Sequence, residues 1–182
     1  MRLSGLGSFA AAILAAGMIL VPPARADVVG ADAGGFQVKT TLTIAAAPAK
    51  VYAALLQVGK WWNPQHTWSG KGTNLTLSGK AGGCFCEKLA DGGGVQHMVV
   101  VYAAPGKKLR LNGALGPLQT EAASGVLSFT LNPKDEGSEL VTAYNVGGYT
   151  KGGWVDWAPA VDAVLSEQLI RLKSYVETGK PQ

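Results

Sequence analysis

The stretch from Asp156 to Glu177 carries the only long helical pattern in the sequence and constrains the fold more than any other segment. Its apolar residues recur at the spacing of one helix face, with Gln168 as the polar exception: Trp157, Val161, Val164, Leu165, Leu169, Leu172 and Val176. Asp156 is expected to cap this helix, and Gly179 is expected to end it. Because the preceding segments alternate like strands, the helix is predicted to lay its apolar face on a sheet.

Residues 1–26 predict a signal peptide. Arg2 supplies a positive start, an apolar run extends from Leu6 to Val21, and Ala24-Arg25-Ala26 fits a cleavage site. A membrane anchor is the alternative, but the apolar run is short for that purpose. Residues 27–182 are therefore predicted to form one exported domain, periplasmic or secreted, without stable membrane insertion.

The charge of the chain does not favour a nucleic-acid partner. The full sequence has 16 basic and 12 acidic residues, a net charge of +4, and removal of Arg2 and Arg25 lowers this to +2. A charge this small, spread along the chain, lacks the basic patch that nucleic-acid binding needs. The sequence leaves the oligomeric state open.

The segments before the long helix predict strands and two short helices. Phe36–Ile44 alternates as a half-buried strand, Pro48–Gln57 predicts a short helix, and residues 60–63 predict a second short helix or turn. Asp27–Gly35 is expected to be a loose terminus. About six further strands follow, divided by turns such as Asp91–Gly94. The predicted class is α+β: a curved antiparallel sheet wrapped around the C-terminal helix, with two short helices after strand 1.

Several short motifs occur in a characteristic order: Thr43–Tyr52, Gly82–Glu87, Val95–Leu109 and Gln168–Lys173. Together they resemble the START-like helix-grip superfamily, also called SRPBCC, near its polyketide cyclase/dehydrase branch. The likeness covers Phe36–Glu177. It implies a helix-grip fold around a hydrophobic pocket, but no catalytic residues, because the activities of its members differ widely.

Strand alternation predicts which residues face the helix: Phe36, Val38, Thr40, Leu42, Leu75, Leu77, Phe85, Glu87, Leu89, Val95, His97, Val99, Val101, Leu109, Leu111, Leu127, Phe129, Leu131, Leu140, Thr142, Tyr144 and Val146. Two of them, Glu87 and His97, are titratable and lie on the two arms of one predicted hairpin. We expect them directly opposite each other, within cross-strand reach. They either orient a ligand or transfer a proton, or they satisfy each other at the cavity rim.

The predicted ligand-binding residues combine this inner face with the long helix and the aromatic residues near it: Trp61, Trp62, Phe85, Glu87, His97, Val99, Leu111, Phe129, Tyr144, Trp157, Val161, Leu165 and Gln168. Two aromatic clusters are expected at the ends of the cavity, one of Trp61, Trp62, His66 and Trp68, the other of Tyr149, Trp154 and Trp157. The rings in these clusters either line the pocket or cap the core.

Cys84 and Cys86 share the outer face of a strand, opposite Phe85. In a flat strand, two residues with one residue between them have Cα atoms near the largest separation that a disulfide can span. A bulge at Gly82-Gly83 would relieve the resulting strain. Free or intermolecular thiols and a metal site are the alternatives. Cys-x-Cys alone is a weak metal signal, so no metal is predicted.

The leading functional hypothesis is an exported protein that holds a small hydrophobic or aromatic molecule between sheet and helix. The alternatives are a cyclase or dehydratase with His97 and Glu87 as acid and base, and a partner-binding module. The chain has no nucleophile elbow, no HExxH and no phosphate-binding loop, so no cofactor is predicted and catalysis stays open.

Overall fold

Eight antiparallel strands form one sheet in the order β1-β2-β8-β7-β6-β5-β4-β3 in a computed structural model that describes residues 25–182. The strands are β1 (Arg25–Ala31), β2 (Gly35–Ile44), β3 (Leu75–Leu77), β4 (Cys84–Lys88), β5 (Gly94–Ala104), β6 (Lys108–Gly113), β7 (Ala122–Lys134) and β8 (Gly137–Tyr149). The helices are α1 (Pro48–Leu55) and α2 (Trp157–Thr178), and a 3₁₀ turn at Val58–Lys60 follows α1. The α+β helix-grip prediction is confirmed, including the two short helices.

The helix α2 packs on the sheet through the face that its sequence pattern predicts. Its buried residues are Ala158, Leu165, Gln168, Leu169, Leu172 and Val176. It ends at Gly179, which adopts the left-handed conformation with φ 79°. The predicted cap is wrong: Asp156 has helical dihedral angles and its side chain caps nothing. The carbonyl of Trp154 instead accepts hydrogen bonds from the N–H groups of Trp157 and Ala158.

The expected loose terminus is wrong, because β1 pairs with β2 along the edge of the sheet. Residues 27–30 of this strand are all exposed, so they show no alternation of buried and exposed residues. The first two residues of β1, Arg25 and Ala26, belong to the predicted signal peptide. The rest of that predicted segment, residues 1–24, lies outside the described residues.

The inner face follows the predicted phase in β2, β6, β7 and β8, where every residue predicted to face the helix is buried. β5 departs from it. His97 and Met98 are both buried, and the alternation of buried and less buried residues then continues with Val100 as the next buried residue. The predictions for Val99 and Val101 are therefore wrong. Val99 is only partly buried and Val101 is half exposed, because a β-bulge at His97 shifts the alternation by one residue.

Among residues 25–182, no helix is long and apolar enough to cross a membrane.

Candidate functional site

An apolar cavity of about 340 Å³ lies between the N-terminal half of α2 and the end of the sheet formed by β3, β4 and β5. Aromatic rings dominate one wall. The ring of Phe85 meets that of Trp62 edge to face at 5.6 Å and that of His97 at 5.2 Å. From α2 the wall receives Trp157, Ala160, Val161, Val164 and Leu165.

The predicted approach of Glu87 and His97 is present. His97 Nε2 lies 3.0 Å from Glu87 Oε2, and both side chains are buried. The register differs from the expected one, since Glu87 pairs with Val95 and His97 is the extra residue of the bulge. With a neutral imidazole, Nε2–H donates to the carboxylate, because an ionised carboxylate only accepts.

The carboxylate of Glu87 is held from two directions. The backbone N–H of Ser69 donates to Oε1 at 2.5 Å, while His97 contacts Oε2. Burial raises the pKa of Glu87, but the hydrogen bonds from Ser69, from His97 and from the backbone of Trp68 outweigh it, and the pKa lies below the ordinary 4.5. Glu87 is therefore an ionised, fixed anchor behind the cavity wall.

This lowered pKa predicts a loss of stability in acid. The contribution of Glu87 to stability is complete above its unfolded pKa and is lost as pH falls through the lower folded pKa. Glu87→Gln should cost about 1–3 kcal/mol near neutral pH, because the amide replaces one of the two acceptor oxygens by an NH2 group, which then faces either the N–H of Ser69 or the Nε2–H of His97. The difference in the free energy of unfolding between wild type and variant should narrow as pH falls below 4.5, through the lowered pKa of Glu87 in the folded state. Urea unfolding at a series of pH values measures this difference.

Glu167→Gln is the matched control. The hydrogen bond from Asn63 lowers the pKa of Glu167 despite the opposing effect of burial, and His66 adds to the lowering. Its side chain is 42% exposed, so the pair it forms with His66 is screened by solvent. A cost in the control as large as that in Glu87→Gln would contradict the buried-anchor interpretation.

Six of the predicted ligand-binding residues line the cavity: Trp62, Phe85, His97, Trp157, Val161 and Leu165. The others lie elsewhere. Trp61, Leu111, Phe129 and Tyr144 are core residues, Glu87 stands behind His97, and Val99 lies outside the inner phase. Gln168 is also buried away from the cavity, where its Oε1 accepts a hydrogen bond from the N–H of Asn63 at 2.7 Å.

Two loops supply lining residues that were not predicted as ligand contacts. One contributes Gln65, His66, Thr67 and Trp68; the other contributes Leu115, Gly116, Pro117 and Leu118. Loops have no hydrophobic period, so strand and helix patterns cannot assign their side chains. Only the aromatic cluster at His66 and Trp68 pointed to the first loop.

Polar contacts with α2 fix the first loop across the cavity. The side chains of Asn63 and His66 both contact the carboxylate of Glu167, at 2.5 Å and 3.0 Å. Arg171 Nε donates to the carbonyl of Trp61 at 2.9 Å. The polar face of α2 thus holds the loop while the apolar face lines the cavity.

Cys84 and Cys86 form a disulfide across Phe85, with Cα atoms 5.4 Å apart. The structure thereby selects one of the three alternatives that the sequence left open. The irregularity that accompanies it lies opposite Phe85 and Cys86 rather than at Gly82-Gly83. Among residues 25–182, no group of three or more His, Cys, Asp or Glu side chains could hold a metal ion.

An antiparallel sheet that grips a C-terminal helix around an apolar cavity defines a helix-grip protein with an internal pocket. The sequence matches the family described as polyketide cyclase / dehydrase and lipid transport over residues 35–177, and the chain belongs to this family. The resemblance to the SRPBCC superfamily is thereby confirmed. No protein of curated function matches the sequence.

Solved structures share the fold at low identity. EF2215 from Enterococcus faecalis, a conserved protein of unknown function, is 18% identical with a TM-score of 0.59, covering 86% of this chain and 78% of its own. CV1439 from Chromobacterium violaceum is 17% identical with a TM-score of 0.56, covering 78% and 96%. CalU16 from Micromonospora echinospora is 10% identical with a TM-score of 0.56, covering 85% and 88%. These likenesses concern the fold alone.

Proposed function

We propose that this chain is a small-molecule-binding protein that holds an apolar or aromatic ligand in the cavity between α2 and β3–β5. The apolar cavity itself is the observation that carries the proposal. Its volume of about 340 Å³ falls at the lower end of ordinary ligand sites. Its walls combine aliphatic side chains of α2 with the rings of Trp62, Phe85 and Trp157, which favour a flat or ring-containing ligand.

The arrangement of His97 supports binding over proton transfer. A histidine that acts as acid or base needs a ring nitrogen within reach of the ligand. Here Nε2 is engaged with Glu87, and Nδ1 is buried without a hydrogen-bond partner among residues 25–182. His97 therefore offers the ligand a ring held in one orientation, which restricts the shape of what binds.

A cyclase or dehydratase is the second candidate. The buried carboxylate–imidazole pair in a cavity wall is the observation that favours it, because such pairs occur at acid–base sites. This function requires the imidazole to turn so that one nitrogen meets the ligand. Turnover that disappears in a His97→Gln variant, while binding persists, would favour the enzyme.

Blocking the cavity from α2 should abolish binding. Ala160 and Ala163 are both exposed on α2, but only Ala160 lines the cavity. Ala160→Phe should weaken binding of the fluorescent probe 1-anilinonaphthalene-8-sulfonate by about tenfold or more, because the new ring occupies ligand volume. Ala163→Phe should leave the affinity unchanged. Fluorescence titration measures both.

Equal affinities in the two variants would mean that the probe binds elsewhere. A second test uses a panel of fatty acids, sterols and polyaromatic compounds, with the melting temperature as readout. If no compound raises the melting temperature of wild type, the ligand-binding proposal fails and a partner-binding module becomes the better account.

We also propose that the protein is exported and processed before Asp27, on the basis of the tripartite leader in residues 1–26. Cleavage there removes two of the seven residues of β1 and leaves Asp27–Ala31 to pair with β2. N-terminal sequencing of the protein from its natural compartment should give Asp27 as the first residue. An intact Met1 on membrane-bound protein would contradict processing before Asp27 and favour the membrane anchor, and Ala26→Tyr should block processing.

A further inference from the structure

At the cavity wall β5 has one residue more than β4, which forms a β-bulge in the pairing of the two strands. Phe85 pairs with Met98 and Cys86 pairs with Gln96, so His97 has no partner of its own on β4. Two neighbours in sequence, His97 and Met98, consequently both face inward, and they are 7% and 1% exposed. His97 already faces inward on the hairpin side of the bulge, and the bulge leaves it without a partner on β4, next to Glu87 and in the cavity wall.

The disulfide spans the same place on the opposite strand. Cys84 and Cys86 flank Phe85, and their Cα atoms are 5.4 Å apart. Residues two apart in an extended strand are separated by about 6.6–6.8 Å. The disulfide therefore holds β4 shortened by more than 1 Å at the level of the bulge, where three residues of β4 face four of β5.

Ladder pairing alone gives β4 little support. β4 has five residues, and its outer neighbour β3 is an edge strand of three residues. A short strand next to an edge opens more easily than the centre of a sheet. The disulfide is thus placed on a strand whose outer neighbour is a short edge strand.

We propose that Cys84 and Cys86 are positioning residues of the cavity: their disulfide, which spans Phe85, holds the β4–β5 bulge at which the unpaired His97 lies. Reduction lets β4 extend, which loosens the bulge and frees His97 from Glu87. The consequence for ligand binding rests on the proposed function; the consequence for His97 does not. Both cysteines are partly exposed, so a reductant reaches them from solvent.

The two histidines of the chain allow a direct test by NMR. His97 is the site residue, and His66, which lines the cavity from the first loop and pairs with Glu167 of α2, shows whether the change stays confined to the β4–β5 wall. A phosphine with water supplies two electrons and two protons, the S–S bond becomes two thiols, and the phosphine becomes its oxide. Hydrogen exchange of the His97 Nε2–H should then accelerate about tenfold or more, while the His66 ring resonances stay unchanged.

A Cys84→Ser/Cys86→Ser variant should reproduce the reduced state without reductant. Amide resonances of β7 and β8 that stay unchanged show that the rest of the sheet remains folded. Exchange of His97 Nε2–H that changes by less than about twofold in both experiments overturns the proposal. If exchange accelerates but 1-anilinonaphthalene-8-sulfonate binds as before, the disulfide positions His97 and the proposed ligand role of this wall fails instead.

Discussion

Replacing Leu172 by alanine is expected to lower the free energy of unfolding by about 2–5 kcal/mol. Leu172 is 0% exposed and belongs to the core that α2 forms with the sheet. The loss combines the transfer free energy of the deleted carbons with the cavity that remains, since a residue between a helix and a curved sheet cannot be replaced by local collapse. Urea unfolding monitored by circular dichroism measures it.

Ile170→Ala is the matched control on the same helix. Ile170 is 48% exposed, and alanine has the higher helix propensity, so the change should stay within about 0.5 kcal/mol. Equal losses at both positions would mean that α2 is not held by the face that the structure buries. A loss below about 0.5 kcal/mol at Leu172 would contradict the packing itself.

The parts of the fold that the sequence predicts are those with one buried face. Leu165, Leu169, Leu172 and Val176 repeat at helical spacing because α2 buries one stripe, and β7 and β8 alternate because the sheet buries one side. In such elements the spacing of the hydrophobic residues follows directly from which face is buried. The whole α+β arrangement follows from these two periods.

The parts of the fold that the sequence does not predict lack such a pattern. β1 is an edge strand with exposed residues, so nothing in its composition distinguishes it from a loop. The bulge in β5 is set by pairing with β4, and one extra residue transfers Val99 and Val101 out of the inner phase. The alternation within one strand cannot reveal a bulge that is caused by pairing with the neighbouring strand.

The candidate site divides in the same way. Glu87 and His97 were found because both are titratable residues in the inner phase before the bulge takes effect. Trp68 and Leu118 line the cavity from loops that tertiary contacts fold over it. Gln168 lies on the predicted helix face, but satisfies the backbone of Asn63 instead of meeting the cavity. The alternation pattern identifies the buried side of a strand or helix. It does not identify which residues on that side border the cavity.

Trp61 and Trp62 should respond differently to the same substitution, although they are neighbours in the chain. Trp61 is 1% exposed, and its Nε1 donates to the carbonyl of Ala54 at 2.9 Å. Trp62 is 9% exposed, lines the cavity and meets Phe85 edge to face. The first ring is surrounded by the core, whereas one side of the second ring borders the cavity and has fewer contacts to lose.

Trp61→Ala is therefore expected to cost about 3–5 kcal/mol of stability, while the folded fraction still binds 1-anilinonaphthalene-8-sulfonate with nearly unchanged affinity. Trp62→Ala should cost less stability and should weaken binding of the probe by about tenfold or more, because it removes part of the wall of the ligand site. Parallel urea melts and fluorescence titrations separate the two effects. If Trp62→Ala alters stability alone, its ring caps the core, and the cavity wall that the ligand-binding proposal relies on has been assigned to the wrong tryptophan.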